Sequence, residues 1–350
     1  MLYSPLKIFH HRDALDSLRK GEHVAPIRIQ LVPTNRCNQN CRGCAYRMAG
    51  YTSAETFNSA DELPWSKLRE IVDDCQAMGI RAIEVTGGGE PAIHPQFADL
   101  CGHIVNAGLD LGVVTNGSVW DDRILDGLRD AHWVRFSIDA GTESTYIRYR
   151  RTGVGVYQQV RDHLRQLTSA EPPRRPVVGV GFVVNAMNWQ EVIIAAENAK
   201  ADGADNFRIS ALFQSAGPEY FKDFYEDARE MCREAALLAM PDFTVFNLFG
   251  ERLEELFAGQ PGYSYCGYSK LTTYLGADQK AYVCCINAYN PQGIIGEFSQ
   301  QSFRQMWESE ETKNAVQGLD ARNCPRCIYN SRNQAIAYAI ADNPPHVNFI

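Results

Sequence analysis

The sequence predicts an α/β protein: a partial (β/α)6 TIM-like barrel followed by a small C-terminal cysteine-rich α+β module. Three observations carry this expectation. Between residues 27 and 212, short runs of Val, Ile and Leu alternate with segments of helical period. Such alternation gives a parallel sheet covered by helices and joined by right-handed crossovers. Beyond residue 258 the pattern changes to short strands, turns and clustered cysteines. Hydrophobic residues make up 45% of the 350 residues, enough for a sizeable core and about two domains.

Residues 1–26 read as a leader with a short helix near 12–19. Strands are expected at 27–32, 82–86, 109–115, 133–138, 177–184 and 206–212, and helices at 64–78, 96–107, 121–129, 156–167 and 189–201. Pro64 falls at the first helical position (N1), where a missing N–H costs nothing, and Gly79, Gly108 and Gly203 fall where helices stop. These elements form a barrel domain over 27–215, with 216–258 a helical bridge and 259–350 the last module and tail. The strand count fits an open barrel better than a closed eight-fold one. Parallel barrels gather their chemistry at the C-terminal strand ends. The tail, Asn343 to Ile350, is apolar enough to dock, with His346 packed in it.

Composition narrows the function classes. The formal net charge of −8 argues against nucleic acid as the main partner, because phosphate binding needs clustered Lys and Arg. The dense basic runs are Arg148-Tyr149-Arg150-Arg151 and Arg174-Arg175, which read as solvated faces. No apolar run approaches the roughly 20 residues of a membrane helix, and Met1 to Lys7 carries no secretion signal. The expected location is the cytoplasm, with no membrane partner. Eleven cysteines in a reducing compartment point to metal ligation or catalysis, not disulfides.

Cys37, Cys41 and Cys44 form a Cys-x3-Cys-x2-Cys loop just after the first strand. Three thiolates can hold three irons of a cubane cluster and leave the fourth open. The bland reading is a zinc site, since soft thiolates also select zinc. The spacing and its place resemble the radical S-adenosylmethionine (SAM) superfamily. That resemblance implies a 4Fe-4S cluster on these cysteines, with SAM chelating the fourth iron, and a reductase such as flavodoxin or ferredoxin as electron donor. SAM is then cleaved to methionine and a 5'-deoxyadenosyl radical that abstracts substrate hydrogen.

After the second strand comes Thr86-Gly87-Gly88-Gly89-Glu90-Pro91. Glycines admit close backbone approach, and the run resembles the family's Gly-Gly-Glu-Pro element, which implies SAM binding by Gly88, Gly89 and Glu90. Asn116 and Ser137, at the third and fourth strand ends, match SAM-contacting positions. Arg148, Arg150 or Arg151 is implied for the SAM carboxylate, and Asn185 for the adenosine. Where relatives place an aromatic residue before the third cysteine this chain has Gly43, with Tyr46 as a substitute for the adenine contact. Glu84, Arg208 and Ser210 should point into the barrel, where Glu84 and Arg208 pair with each other or with substrate.

The C-terminal region carries Cys266, Cys284-Cys285 and Cys324-Pro325-Arg326-Cys327 around a hairpin at 272–275 and 281–284. This resembles the auxiliary-cluster modules of the SPASM and twitch subfamilies, although Gln279 stands where relatives turn on glycine. The resemblance implies a second 4Fe-4S cluster on Cys266, Cys284, Cys324 and Cys327, with Cys285 the rival of Cys284. A structural zinc on the same thiolates is the alternative. Cys75, Cys101 and Cys232 read as core packing.

The expected activity is hydrogen abstraction from a small polar metabolite (a sugar, aminocyclitol or nucleoside) that is oxidised or epimerised. Epimerisation needs a thiol to return hydrogen, and Cys232 and Cys285 are the unassigned ones. The runner-up is a peptide-modifying enzyme, disfavoured because residues 1–26 are too short for a leader-recognition domain. A non-catalytic iron–sulfur or zinc-binding protein is the third reading, which leaves residues 87–91, Asn116 and Ser137 without a purpose.

Overall fold

The structure, a computed structural model, describes residues 3–48, 55–171, 173, 175–213, 216–344 and 346–349. Arg174 of the second basic pair, and Pro345 and Ile350 of the tail, lie outside the described residues. A 3-10 turn (Pro5–His10) and α1 (Arg12–Arg19) precede β1 (Arg28–Leu31). The chain then alternates through α2 (Trp65–Ala77), β2 (Ala82–Val85), α3 (Phe97–Asn106), β3 (Asp110–Thr115), α4 (Asp122–Arg129) and β4 (Trp133–Ser137). Next come α5 (Glu143–Arg150), α6 (Val156–Thr168), β5 (Val177–Val184), α7 (Val192–Ala201) and β6 (Asn206–Ala211). The predicted helix stops hold, with Gly79, Gly108 and Gly203 all at positive φ.

Beyond β6 lie α8 (Tyr225–Ala236), β7 (Thr244–Asn247), α9 (Phe249–Ala258), α10 (Tyr268–Leu271), β8 (Thr272–Leu275), β9 (Lys280–Tyr282) and β10 (Ile294–Glu297). The last helices are α11 (Phe303–Glu308), α12 (Glu310–Gln317) and α13 (Asn330–Ile340). Among the described residues ten strands form one sheet in the order β10-β9-β8-β1-β2-β3-β4-β5-β6-β7. From β8 to β7 every neighbouring pair is parallel. Strands β9 and β10 are antiparallel, and β7 and β10 are free edges, so the barrel stays open.

Several expectations need correcting. The segment 216–258 is not all helix, because β7 pairs with β6 in register Asn206↔Thr244. Four residues are too few for a strand to show a period. The C-terminal hairpin also extends the barrel sheet, with β8 beside β1 (Arg28↔Thr272). Helix α5 runs into the basic stretch Arg148–Arg151, where the sequence pattern predicts no helix. Pro64 sits at the N-cap, in extended backbone (ψ 151), so the helix starts at Trp65. The tail does not dock: Phe349 is 84% exposed and His346 is exposed. At the hairpin turn Gln279 has φ 62, the left-handed region that glycine adopts more readily.

Strand alternation divides the residues cleanly. Ile29, Leu31, Ile83, Val85, Val113, Phe136, Val180, Phe207 and Ile209 are buried under the helices in one hydrophobic core. Their alternates Gln30, Glu84, Val114, Arg135, Ser137, Val183, Arg208 and Ser210 face the barrel interior. The interior is cramped and glycine relieves it. A Cβ on Gly112 would lie 2.3 Å from the Trp133 indole, which fills that space. Gly112→Val should therefore cost about 1–3 kcal/mol of stability by overpacking. Urea denaturation checks this; an unchanged midpoint would mean that Trp133 moves aside freely.

Candidate active site

Cys37, Cys41 and Cys44 lie on the loop after β1, as expected, and face a cavity of about 240 Å³. Gly88, Gly89 and Glu90 line its opposite wall, and Asn116, Ser137 and Arg150 its rim. The stem of the cysteine loop crosses the glycine run directly, with Gly89 N–H donating to Thr34 O (3.2 Å) and Glu90 N–H to Arg36 O (2.8 Å). A Cβ on Gly89 would lie 1.9 Å from Arg36 O, and one on Gly88 would lie 2.2 Å from the Asn35 amide oxygen. Position 89 is glycine because another backbone passes through the space of a side chain, and position 88 because the Asn35 and Phe57 side chains fill that space.

Glu90 ties β2 to β3. Its carboxylate accepts from Thr115 Oγ1 (2.6 Å), Asn116 N–H (2.6 Å) and Ala92 N–H (3.1 Å). Burial pushes its pKa up, and these donors pull it back. Asn116 in turn donates to Asn38 Oδ1 (3.0 Å), one residue past Cys37. Burial raises the Cys37 thiol to about 11 and raises Cys44 as well. Soft thiols, desolvated and held on one short loop beside a polar cavity, fit an iron–sulfur cluster with one open iron.

Arg150, from α5, is buried and spends its guanidinium on the protein. It donates to Ile138 O (3.3 Å), Ser137 O, Asp139 Oδ2 (2.7 Å) and Cys41 Sγ (3.4 Å). Asn40 and Arg42 N–H groups donate to the carbonyls of Arg150 and Tyr149 (3.3 and 2.9 Å). Arg150 is thus first a brace for the cysteine loop. Asp139 takes φ 55, unusual for a side-chain residue, to meet Arg150 and the Val183 N–H (2.7 Å). Arg148 donates to Thr145 Oγ1 (3.0 Å), and Arg151 is exposed at the left-handed C-cap.

The missing side chain at position 43 has a physical cause that sequence reasoning missed. A Cβ on Gly43 would lie 2.1 Å from the Tyr149 hydroxyl, so an aromatic ring from α5 already occupies that place and lines the cavity. Without α5 in view, no local signal pointed to it. Tyr46 also lines the cavity, but its ring stacks on Phe57 (centroids 5.2 Å) and its hydroxyl bonds that of Tyr274 (3.0 Å).

Other candidates move. Asn185 does not line the cavity; its side chain closes a turn with Val183 O and Met187 N–H (both 2.9 Å). Glu84 pairs with Arg28, at the base of β1, and accepts from Gln30 (3.1 Å), so Arg208 is not its ion-pair partner. Ser210 is buried on the same strand as Arg208. Cys232 is buried inside the hydrophobic core on α8 and does not line the cavity; burial raises it to about 12. Cys75 and Cys101 are core residues, as expected.

Cys266, Cys284, Cys324 and Cys327 share a second, tighter cavity of about 20 Å³, roughly the space of one water. The thiols of Cys324 and Cys327 accept from Asn287 (3.4 Å) and Tyr263 (3.4 Å). Cys285 turns away to the Tyr329 hydroxyl (3.0 Å) and does not line this cavity. Among the described residues, no three His, Cys, Asp or Glu converge on a single metal-ion position.

Residues 31–199 match the sequence model of the radical SAM superfamily. That segment is a radical SAM domain. Over 306 residues, 82% of this chain and 83% of the relative, the protein is 24% identical to the AdoMet-dependent heme synthase of Methanosarcina barkeri. SuiB of Streptococcus suis bound to S-adenosylmethionine superposes with a TM-score of 0.63 at 11% identity, covering 89% of this chain and 72% of SuiB. Native anSMEcpe with bound AdoMet and Kp18Cys peptide gives 0.61 at 14% identity, covering 89% and 88%. At these identities the structural likeness shows the fold. Radical SAM domains work with a 4Fe-4S cluster and SAM, which the thiol loop and glycine wall fit. No helix among the described residues is long and apolar enough to cross a membrane.

Two predictions follow from the ion pairs. Arg150→Gln leaves the Asp139 carboxylate buried and unpaired, which should cost about 3–5 kcal/mol and lower iron loading. Urea denaturation with an iron assay checks both. For Glu84, burial raises the pKa but Arg28 and Arg135 outweigh it, so the folded value lies below the unfolded one. Its stabilisation is present above the unfolded pKa of about 4.3 and is lost as pH falls through the lower folded value. Glu84→Gln should therefore destabilise at pH 7 and flatten the acid limb of the stability–pH curve; a parallel limb would refute the linkage.

Proposed function

We propose that this radical SAM enzyme abstracts hydrogen from a small polar metabolite (a sugar, aminocyclitol or nucleoside) held in the barrel beneath SAM, and oxidises or epimerises it. The observation that carries the reading is the single cavity walled by Cys37, Cys41, Cys44 and the Gly88–Gly89 crossing. The cluster and SAM, when bound, supply a 5'-deoxyadenosyl radical. Gly88 and Gly89 admit the methionine moiety, Asn116 and Ser137 fix its polar groups, and Tyr149 offers adenine the aromatic face absent at Gly43. The polar interior beneath (Gln30, Glu84, Arg135, Arg208) suits a hydrophilic substrate.

Cys266, Cys284, Cys324 and Cys327 are proposed to hold an auxiliary 4Fe-4S cluster, which would supply an electron acceptor and favours oxidation. Their thiols must spread from the present cavity to take a four-iron core. In this reading residues 27–215 are the radical SAM barrel and 259–350 the auxiliary module. The protein is cytoplasmic, and a flavodoxin or ferredoxin supplies the electron. Cys285, hydrogen-bonded to Tyr329, is the thiol left for an epimerisation.

Anaerobic reconstitution should load about eight irons per chain, following four irons per cluster, and SAM plus reductant should yield 5'-deoxyadenosine. Cys41→Ala should abolish that product. Cys324→Ala should lower iron to about four while SAM cleavage persists. Zinc in place of iron, or no 5'-deoxyadenosine from the wild type, contradicts the reading. Deuterium passing from substrate into 5'-deoxyadenosine with a two-electron-oxidised product marks a dehydrogenase; solvent deuterium at an inverted centre marks an epimerase.

A further inference from the structure

Arg208 is within electrostatic reach of Arg135 and Arg252. Of the five arginines Arg28, Arg135, Arg150, Arg208 and Arg252, on the barrel strands and flanking helices, three have a carboxylate of their own. Arg28 pairs with Glu84, Arg150 with Asp139 and Arg252 with Glu255. Arg135 and Arg208 do not: among the described residues neither makes an ion pair. Arg135 lies over the Trp133 ring and Arg208 over the Tyr3 ring, each 5.5 Å from the centroid. Both are half-buried.

Register places them together. Arg135 on β4 pairs with Gly179 on β5, and Gly181 pairs with Arg208 on β6. The two arginines therefore stand two strands apart and two residues out of register, about 12 Å between backbones, on either side of a glycine column. The Arg135 side chain crosses that column, 3.4 Å from where a Cβ of Gly181 would sit. Ser137 and Val183, two residues further along the same face of β4 and β5, line the SAM cavity. Arg135 thus lies one layer below it, about 7 Å along the strand, and Arg208 stands level with Ser137 across Gly181.

Burial and repulsion from Arg135 lower Arg208 to about 10, which leaves it charged near neutrality. Glu84 feels both Arg135 and Arg208, and Asp139 feels Arg208, but each carboxylate is held in an ion pair by its own arginine. Two planar forks that no ion pair takes up are the arrangement that binds a carboxylate or phosphate through parallel hydrogen bonds.

We propose that Arg135 and Arg208 form an oxyanion subsite that anchors a carboxylate or phosphate of the substrate in the barrel beneath SAM. The inference rests on the reading that substrate enters there. The test is calorimetric titration of the anaerobically reconstituted full chain with SAM, using inorganic phosphate and, separately, succinate at constant ionic strength. At least one should bind saturably, and Arg135→Gln and Arg208→Gln should each weaken it at least tenfold. Arg208→Lys, which keeps the charge and covers the case of a poorly folding Gln variant, should retain part of the affinity. Arg123→Gln, on the surface beside Asp99, should bind as wild type. Binding of phosphate alone points to a phosphorylated substrate, and of succinate alone to a carboxylic acid. If neither anion binds the wild type, or if the Gln variants bind like it, the subsite is overturned. 5'-Deoxyadenosine is measured on the same wild-type preparation. Its presence without anion binding sinks the subsite alone, whereas its absence sinks the underlying reading.

Discussion

The buried guanidinium of Arg150 is the constraint on which the site depends. A charge taken out of water is tolerated only when it is paired and hydrogen-bonded. Arg150 meets that condition by collecting Asp139 and two carbonyls at the end of β4, with Cys41 Sγ on its remaining side. Among the described residues, the loop carrying Cys37, Cys41 and Cys44 contains no helix or strand, so its geometry comes from what it touches. Helix α5 holds it from one side through Arg150 and the Tyr149 carbonyl, and the Gly88–Gly89 wall holds it from the other. Glu90 then locks that wall to β3.

The barrel is built in layers around this brace. At the top, strand ends supply thiols, glycines and short polar groups. One layer down, long polar and charged side chains fill the interior, and Trp133 and Asn206 take the space that Gly112 and Gly179 give up. The C-terminal hairpin extends the same sheet, so the second group of cysteines stands on a continuation of β1. Its aromatic residues Tyr274, Tyr282 and Tyr289 pack with Tyr46 and Phe57 from the first cysteine loop. The two cysteine regions are thereby tied through one aromatic cluster.

Much of this was legible in the sequence, for physical reasons. Strands β1 to β6 announce themselves because they bury apolar residues under helices, and the two cysteine groups because soft ligands at fixed spacing are rare. The missed parts depend on contacts between distant residues. Tyr149 substitutes for a side chain at Gly43 across more than a hundred positions, and Glu84 chooses Arg28 over Arg208 because β1 and β2 are neighbours. Strand β7 is too short to show a period, and α5 was hidden by its basic residues. The exposed tail was misjudged because apolar composition says nothing of where a surface to receive it lies.

The central claim is that the loop of Cys37, Cys41 and Cys44 holds a cluster with one iron open to SAM. Electron paramagnetic resonance of the reduced, reconstituted protein tests it most directly, in a Cys266→Ala/Cys324→Ala background that removes the second thiol set. A reduced 4Fe-4S signal whose g-values shift when SAM is added is the predicted result. A signal indifferent to SAM, or no cluster on these three cysteines, would contradict the account.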